Sequence, residues 1–463
     1  MGRKGCLQQG QGPIQTLQPF TTIPAILLHD LQRWRCDHKD QLLLDLALFW
    51  VLVLIHNKSA GFPISQPPRC LKRTPRIFDS LQLATMAHTD GVVCLHQRPL
   101  TVFASPGRYV QGPGATYELG RELKRLGLVG PVLLIAGGTA QRELQPIWNQ
   151  VLPAAGIEPL VMPFGGECSK EELERLLLQA KGRSAVAVVG AGGGKASDTA
   201  RAVADELDLP AIITPTLAST DSPCSALSVM YGAGGNVEGF RFYNRHPLLV
   251  LVDTTVVARA PKRMLVGGLG DALATWFEAR TVRESCSHTM VGGLPSTTGT
   301  ALAKLCCDIL LADGPAACAA VEAGATTPAL ERVVEANNLL SGLGFESGGL
   351  ALAHAVHNGI TAIPASHRFI HGEKVAFGLL TQLVLEGRPQ AEIEEIYRYQ
   401  KAVGLPITLA AVGVDAGNDE QLRTIAERCL IPGESSHNEP FPVSAEAVIS
   451  ALKAADQLGR QRS

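Results

Sequence analysis

The chain predicts an α/β half built on a parallel sheet, followed by an all-helical half. Three observations carry that expectation. From Pro131 onward, short apolar runs alternate with amphipathic stretches, the pattern of parallel βαβ units. The apolar run 185–189 ends in a glycine cluster, Gly190, Gly192, Gly193 and Gly194, which leads through Lys195 into a helix-period segment. Beyond Pro261 the strand signals stop and helix-period runs take over.

Residues 1–100 stand apart, rich in Gln, Pro, Arg and Cys, with neither a glycine loop nor a metal-ligand pattern. Their notable piece is LLLDLALFWVLVLI at 42–55, apolar but carrying Asp45. It is shorter than the about 20 residues that span a bilayer, and it begins too late for a signal peptide. A buried or interfacial helix is expected there, without membrane anchorage. Met86 shortly precedes the patterned part, so the first 85 residues are expected to be upstream translated sequence or a poorly ordered extension. No function attaches to them.

Residues 101–260 form the expected α/β domain. Strands are expected at 131–136, 158–162, 185–189, 211–214 and 248–252, with a helix at 140–151. Ser169 opens S-K-E-E, an N-cap with acids in the first turn, for a helix running to Lys181. Residues 225–231, turning at 232–235, read as a hairpin. In such sheets ligands sit at the carboxyl ends of the strands, where the loops at Gly190 and Thr216 both lie.

The glycine cluster fits neither of two familiar patterns. A dinucleotide fingerprint starting at Gly190 needs glycine where Lys195 stands, and a P-loop needs glycine at Val189 and a hydroxyl at Ala196. It reads as a phosphate-cradling loop of a third kind, or as a tight turn. The segment after the 211–214 strand, PTLASTDSPCSALSVMY, is dense in hydroxyls, with one acid (Asp221) and no base. A solvated loop of that length would carry lysine and glutamate, whereas small hydroxylated residues suit close contact with a ligand. Taken alone, Asp221 reads as an Asx-turn or a helix cap.

Residues 261–463 form the helical half, with runs at 268–280, 296–311, 329–340, 348–361 and 373–385. Asp271 in GDALATWFEAR, His354 and His357 in AHAVHNG, and His371 in HGEKVAFG could chelate a metal. His354 and His357 share a helix face. One carboxylate and two imidazoles, with an open position, suit a catalytic Zn²⁺ or Fe²⁺. Singly, Asp271 reads as a helix N-cap and each histidine as a satisfied core residue.

Composition narrows the function classes. A net charge of -2 and a pI near 6.6 leave no basic field for nucleic acid. The 11 cysteines contain no C-x-x-C pair, which argues against a disulfide framework or a cysteine zinc site and suits a reducing cytoplasm.

The blocks GGGKxxDTA at 192–200 and PTxASTDxPCSALSVxY at 215–231 resemble the glycerol dehydrogenase family of the iron-type, metal-dependent alcohol dehydrogenases. The likeness runs from FASPGRYVQGPGA, near Val102, through VGLPITLA at 403–410 to the C-terminus. It implies a Rossmann-like NAD-binding domain and an all-α metal domain, in a dehydroquinate synthase-like architecture. Cofactor contacts would fall on Gly193, Gly194, Lys195, Ala196, Ser197, Asp198, Thr216, Ser219, Ser225, Leu227 and Tyr231. Asp221 would lie beside the substrate hydroxyls, and Asp271, His354 and His371 would hold Zn²⁺ or Fe²⁺. His357 would support the metal site, and His367 and Glu373 would be hydrogen-bond partners of the third ligand. The implied reaction is reversible, NAD-dependent oxidation of glycerol to dihydroxyacetone, with other vicinal diols as co-substrates. A cytoplasmic homo-oligomer of octamer type is implied as well.

One departure bears on the cofactor. Gly137 stands where the family usually carries an acid for the adenosine ribose, and Arg142 is near enough in sequence to meet a 2'-phosphate. NAD is the expected cofactor, with relaxed choice towards NADP. Two other readings compete. Glycerol-1-phosphate dehydrogenase or dehydroquinate synthase would want a basic pocket, which ASTDSPCSALS does not offer. A non-catalytic dinucleotide-binding protein would need a broken metal triad, and all three residues are present.

Overall fold

Period-two alternation in the strands sends neighbouring side chains to opposite faces, and here both faces are apolar. Val132 and Leu134 join one buried cluster, while Leu133 and Ile135 join another. The computed structural model describes residues 99–232 and 237–462. The expectations for residues 1–98, including the run at 42–55, lie outside the described residues, as do residues 233–235 of the turn expected at 232–235.

Among the described residues the main sheet has six strands: β1 (Tyr109–Gly112), β2 (Pro131–Ala136), β3 (Glu158–Pro163), β4 (Ala187–Gly192), β5 (Ala211–Pro215) and β8 (Leu249–Asp253). They pair in parallel in the order β1-β8-β5-β4-β2-β3. β6 (Leu227–Tyr231) and β7 (Val237–Phe242) form the expected hairpin. Crossover helices cover both faces, as a parallel sheet requires. Leu123 of α1 (Leu119–Arg125) and Trp148 of α2 (Gly138–Ala154) belong to the cluster of Val132 and Leu134. Leu176 of α3 (Lys170–Ala180) and Val203 of α4 (Gly194–Glu206) belong to that of Leu133 and Ile135. Ser169 caps α3 as expected, its side chain accepting from the Glu172 N–H. β1 was not expected, because YVQG has no apolar alternation; its register against β8 defines it.

β8 ends in Asp253, which caps the short α5 (Thr254–Ala258). Its carboxylate also accepts from the Gly114 N–H at 2.9 Å and the Thr116 N–H at 3.0 Å, tying the loop after β1 to the sheet.

The helical half holds α6 (Lys262–Ser285), α7 (Thr297–Glu322), α8 (Pro328–Glu335), α9 (Ser341–Gly348), α10 (Leu352–Thr361) and α11 (His371–Leu385). A π-turn, Ala336–Leu340, joins α8 to α9. The run expected at 348–361 begins later, at α10, because Gly349 takes φ 99 and closes α9. α11 begins two residues earlier than expected, since the Glu373 carboxylate reaches back to the Ile370 N–H at 2.9 Å. Three further helices, α12 (Gln390–Val403), α13 (Asp419–Cys429) and α14 (Ala445–Arg460), were not expected. Charged outer faces dilute their apolar period, although Tyr397, Ile425 and Leu452 are fully buried.

One apolar cluster runs from Val188 and Ile213 of the sheet through Leu269 and Phe377 to Leu452, so the α/β and helical parts share a core. Among the described residues no helix is long and apolar enough to cross a membrane, and the cysteines are all free.

Candidate active site

The glycine cluster works first as packing. A Cβ on Gly190 would lie 2.5 Å from the Ala200 Cβ, and one on Gly192 would lie 2.8 Å from the Ala196 Cβ. Glycine therefore lets α4 lie directly on β4. Gly193 is the N-cap of α4 and has no side chain to satisfy the first N–H groups, which stay free for an anion. The Thr216 N–H donates to the Gly192 carbonyl at 2.9 Å, bringing the β5 loop beside the β4 loop.

The residues expected to touch a cofactor divide into two groups. Lys195 is half-exposed, its Nζ 2.6 Å from Glu167 Oε2 and 4.6 Å from the Tyr231 ring centroid. Gly193, Gly194, Thr216, Ser219 and Tyr231 are likewise at least partly open to solvent. Ala196, Ser197 and Asp198 instead lie buried beneath the loop, as do Ser225 and Leu227. The Ser225 hydroxyl donates to the Ser222 carbonyl at 2.9 Å. Asp198 faces inward. It pairs with the buried Arg201, accepts from the Ser222 hydroxyl at 3.0 Å and accepts from the Val229 N–H at 3.2 Å. Burial raises the Asp198 carboxyl, against the pull of Arg201. Arg201 donates to the Ser222 carbonyl at 2.9 Å and to its hydroxyl at 2.6 Å. Together the two residues clamp the loop that follows Asp221.

Asp221 reaches across to the helical half. Its N–H donates to Asp271 Oδ2 at 3.2 Å, and its own Oδ2 accepts from the Ser341 hydroxyl at 3.2 Å. Ser341 in turn lies 2.8 Å from the Thr275 hydroxyl. The π-turn holds the neighbouring chain, with Asn337 donating to the Ala218 carbonyl at 3.0 Å. α6 can approach so closely because position 268 is glycine: a Cβ there would collide with the Ala218 carbonyl oxygen. Burial raises the Asp221 carboxyl, and the charge of Asp271 adds to it.

Asp271, His354 and His371 come together from three helices, with one potential ligand atom of each lying within 4.8 Å of the others. Asp271 sits inside α6, well past its start at Lys262, so it is no N-cap. His354 Nδ1 is 2.6 Å from Glu278 Oε2, and Glu278 also accepts from the Ala351 and His354 N–H groups. His371 Nδ1 is 3.0 Å from His357 Nε2, and His357 Nδ1 is 3.0 Å from Asn358 Oδ1. This bonding assigns the Nδ1–H tautomer to all three rings. It leaves the bare Nε2 atoms of His354 and His371 facing Asp271 Oδ1 at 3.5 and 2.9 Å.

The donor set fits a divalent cation. Asp271 Oδ1 is buried without a hydrogen-bond partner, and two imidazole lone pairs converge on it. Asp221, Asp271 and Glu278 place three carboxyls in one buried region, which calls for a compensating positive charge. Burial lowers His357, and the neighbouring His371 and Lys374 lower it further, so it stays a neutral acceptor for His371.

Sequence reasoning had not singled out Glu278. It stands two turns after Asp271 on the same helix face, which was the available signal. The expected partners of His371 were also misplaced. His367 instead lies 3.0 Å from the Thr361 carbonyl, and Glu373 pairs with Arg263 at 2.7 Å. His357 is the partner. Gly137 caps α2, and a Cβ there would meet nothing within 4 Å. Arg142 is exposed and donates to the Thr139 hydroxyl at 3.3 Å.

Comparison with known proteins places this geometry in company. Residues 106–254 match the family model described as iron-containing alcohol dehydrogenase. The glycerol dehydrogenase of Thermotoga maritima is 49% identical over 363 residues, covering 78% of this chain and 99% of that protein. Glycerol dehydrogenase 1 of Schizosaccharomyces pombe is 37% identical over 421 residues, covering 89% of this chain and 91% of that one. This share exceeds what Arg98–Ser463 can supply, so the likeness reaches into the preceding segment. Among solved structures, a probable glycerol dehydrogenase from Sinorhizobium meliloti 1021 superposes with a TM-score of 0.73 at 40% identity, covering 78% of this chain and 99% of that one.

Proposed function

The chain belongs to the glycerol dehydrogenase family of the iron-containing alcohol dehydrogenases, and on that ground we propose that it oxidises glycerol to dihydroxyacetone with NAD. The observation that carries the proposal is the convergence of Asp271, His354 and His371 beside Asp221.

In this reading Asp271 Oδ1, His354 Nε2 and His371 Nε2 hold Zn²⁺ or Fe²⁺. Such a cation supplies Lewis acidity, lowering the pKa of a substrate hydroxyl enough for it to ionise near neutral pH. Glu278 and His357 fix the two imidazoles by holding their Nδ1–H groups. Asp221, braced by Ser341, accepts a hydrogen bond from a second hydroxyl of the polyol and so orients the carbinol carbon. The α4 N-terminus and the adjoining Thr216 loop receive the pyrophosphate and direct the nicotinamide half towards that carbon. The open end of the triad and a carboxylate for a neighbouring hydroxyl suit vicinal diols generally, and the reverse reaction equally. The cytoplasm and a homo-oligomer of octamer type complete the proposal.

The test is NAD reduction with glycerol, before and after chelator treatment, with Zn²⁺ and Fe²⁺ added back separately. Turnover lost to the chelator and restored by one metal is the expected result. Well-folded, metal-loaded protein that is inactive on glycerol and on other diols would overturn the substrate assignment.

A further inference from the structure

Lys374 has no part in the reading above. It lies on α11 three residues after His371, so the two share a helix face. The residue is only 6% exposed, and it makes no hydrogen bond or ion pair among the described residues. Its neighbour Glu373 is committed elsewhere, to Arg263 and the Ile370 N–H. Burial brings the Lys374 ammonium down to about 8, with Glu373 opposing that and Lys195 adding to it.

Its surroundings place it near the group of Asp271, His354 and His371. Its charge lowers His357, the partner of His371, and the charge of Lys195 in the glycine loop lowers Lys374 in turn. The start of α11 is packed against the same region: a Cβ on Gly267 would lie 3.9 Å from the Ser219 carbonyl oxygen and would collide with Ile370. Lys195 has Glu167 as its counter-charge, whereas the Lys374 ammonium is buried without an acceptor among the described residues. A buried unpaired cation is costly unless a ligand completes it.

We infer that Lys374 binds the nicotinamide-side phosphate of the dinucleotide, opposite Lys195, so that the pyrophosphate is gripped from both halves of the protein. This rests on the dinucleotide-dependent function proposed above. The adenosine-side phosphate, lying over the α4 N-terminus, is left to the glycine loop.

The test is equilibrium binding, by fluorescence for NADH and by calorimetry for ADP-ribose and AMP, to the wild type, Lys374→Met and Lys374→Arg. Lys374→Met is expected to weaken NADH and ADP-ribose by about 10- to 100-fold, the scale of a hydrogen bond to a charged group. AMP, which has only the adenosine-side phosphate, keeps its affinity. Lys374→Arg recovers part of the loss. Thermal stability of Lys374→Met equals or exceeds that of the wild type, because a buried ammonium is gone; a merely structural lysine would show a loss instead. NADH affinity within twofold of the wild type overturns the inference alone, as does an equal loss for AMP. A wild type that binds neither NADH nor ADP-ribose overturns the dinucleotide reading and this inference with it.

Discussion

Asp198 and Arg201 form a pair whose removal should be felt in both stability and catalysis. Their side chains are 7% and 2% exposed, so solvent does little to screen them. Asp198→Ala leaves the Ser222 hydroxyl and the Val229 N–H without this acceptor and the guanidinium without its counter-charge. Arg201 Nε already lacks a partner, so no spare acceptor stands by. Breaking a buried pair from one side costs about 3–5 kcal/mol, a large part of a typical net stability of about 5–15 kcal/mol. Urea unfolding should report that loss. The clamp also holds Ser222, directly after Asp221, so a shifted loop should misplace the Asp221 carboxylate. A displacement of about 1 Å can cost 100-fold in rate, and kcat/KM for glycerol is expected to fall at least tenfold. The double variant Asp198→Ala, Arg201→Met removes both charges and should recover stability relative to the single change. A loss below about 1 kcal/mol for Asp198→Ala, or a double variant no more stable than the single, would refute the clamp.

Three other outcomes follow from the geometry. Glu278→Gln removes the carboxylate at His354 Nδ1 and is expected to lower metal affinity about 10- to 100-fold, read by competition with a chelating dye. NADP should give measurable turnover, since no acid stands in the first turn of α2; Gly137→Asp should then raise the ratio of NAD to NADP efficiency in steady-state kinetics. Asp253 sets an acid-side dependence. Burial opposes its ionisation, but hydrogen bonds from Thr255, Thr116 and Gly114 outweigh it and hold its carboxyl below the ordinary 3.8. A lowered folded pKa means the contribution is full above the unfolded value and fades as pH falls through the folded one. Asp253→Asn should therefore be less stable than the wild type at pH 7, with the gap closing in stability curves taken into strong acid.

Local pattern was enough for the strands from β2 to β5, the glycine turn, the Ser169 cap and the helical character of the second half. Each rests on residues close in sequence, where periodicity and capping act. The trio Asp271, His354 and His371 was also legible, because the flanking residues of each carry the family's motifs. β1 was not legible, since YVQG acquires strand geometry only by pairing with β8. α12, α13 and α14 were missed because their buried faces are narrow among charged residues.

What the sequence by itself determined is the order of elements and the set of candidate chemical groups. Only the tertiary structure decided which way those groups face. Asp198 turns inward to Arg201 and Ser222 and lies buried, and His371 takes His357 as partner over its sequence neighbours His367 and Glu373. Glu278 meets His354 across 76 residues of chain, and Lys374 becomes a buried cation only when α11 packs against α6 and α10. Burial and hydrogen-bond partnership are properties of packed neighbours, and those neighbours come from distant parts of the chain.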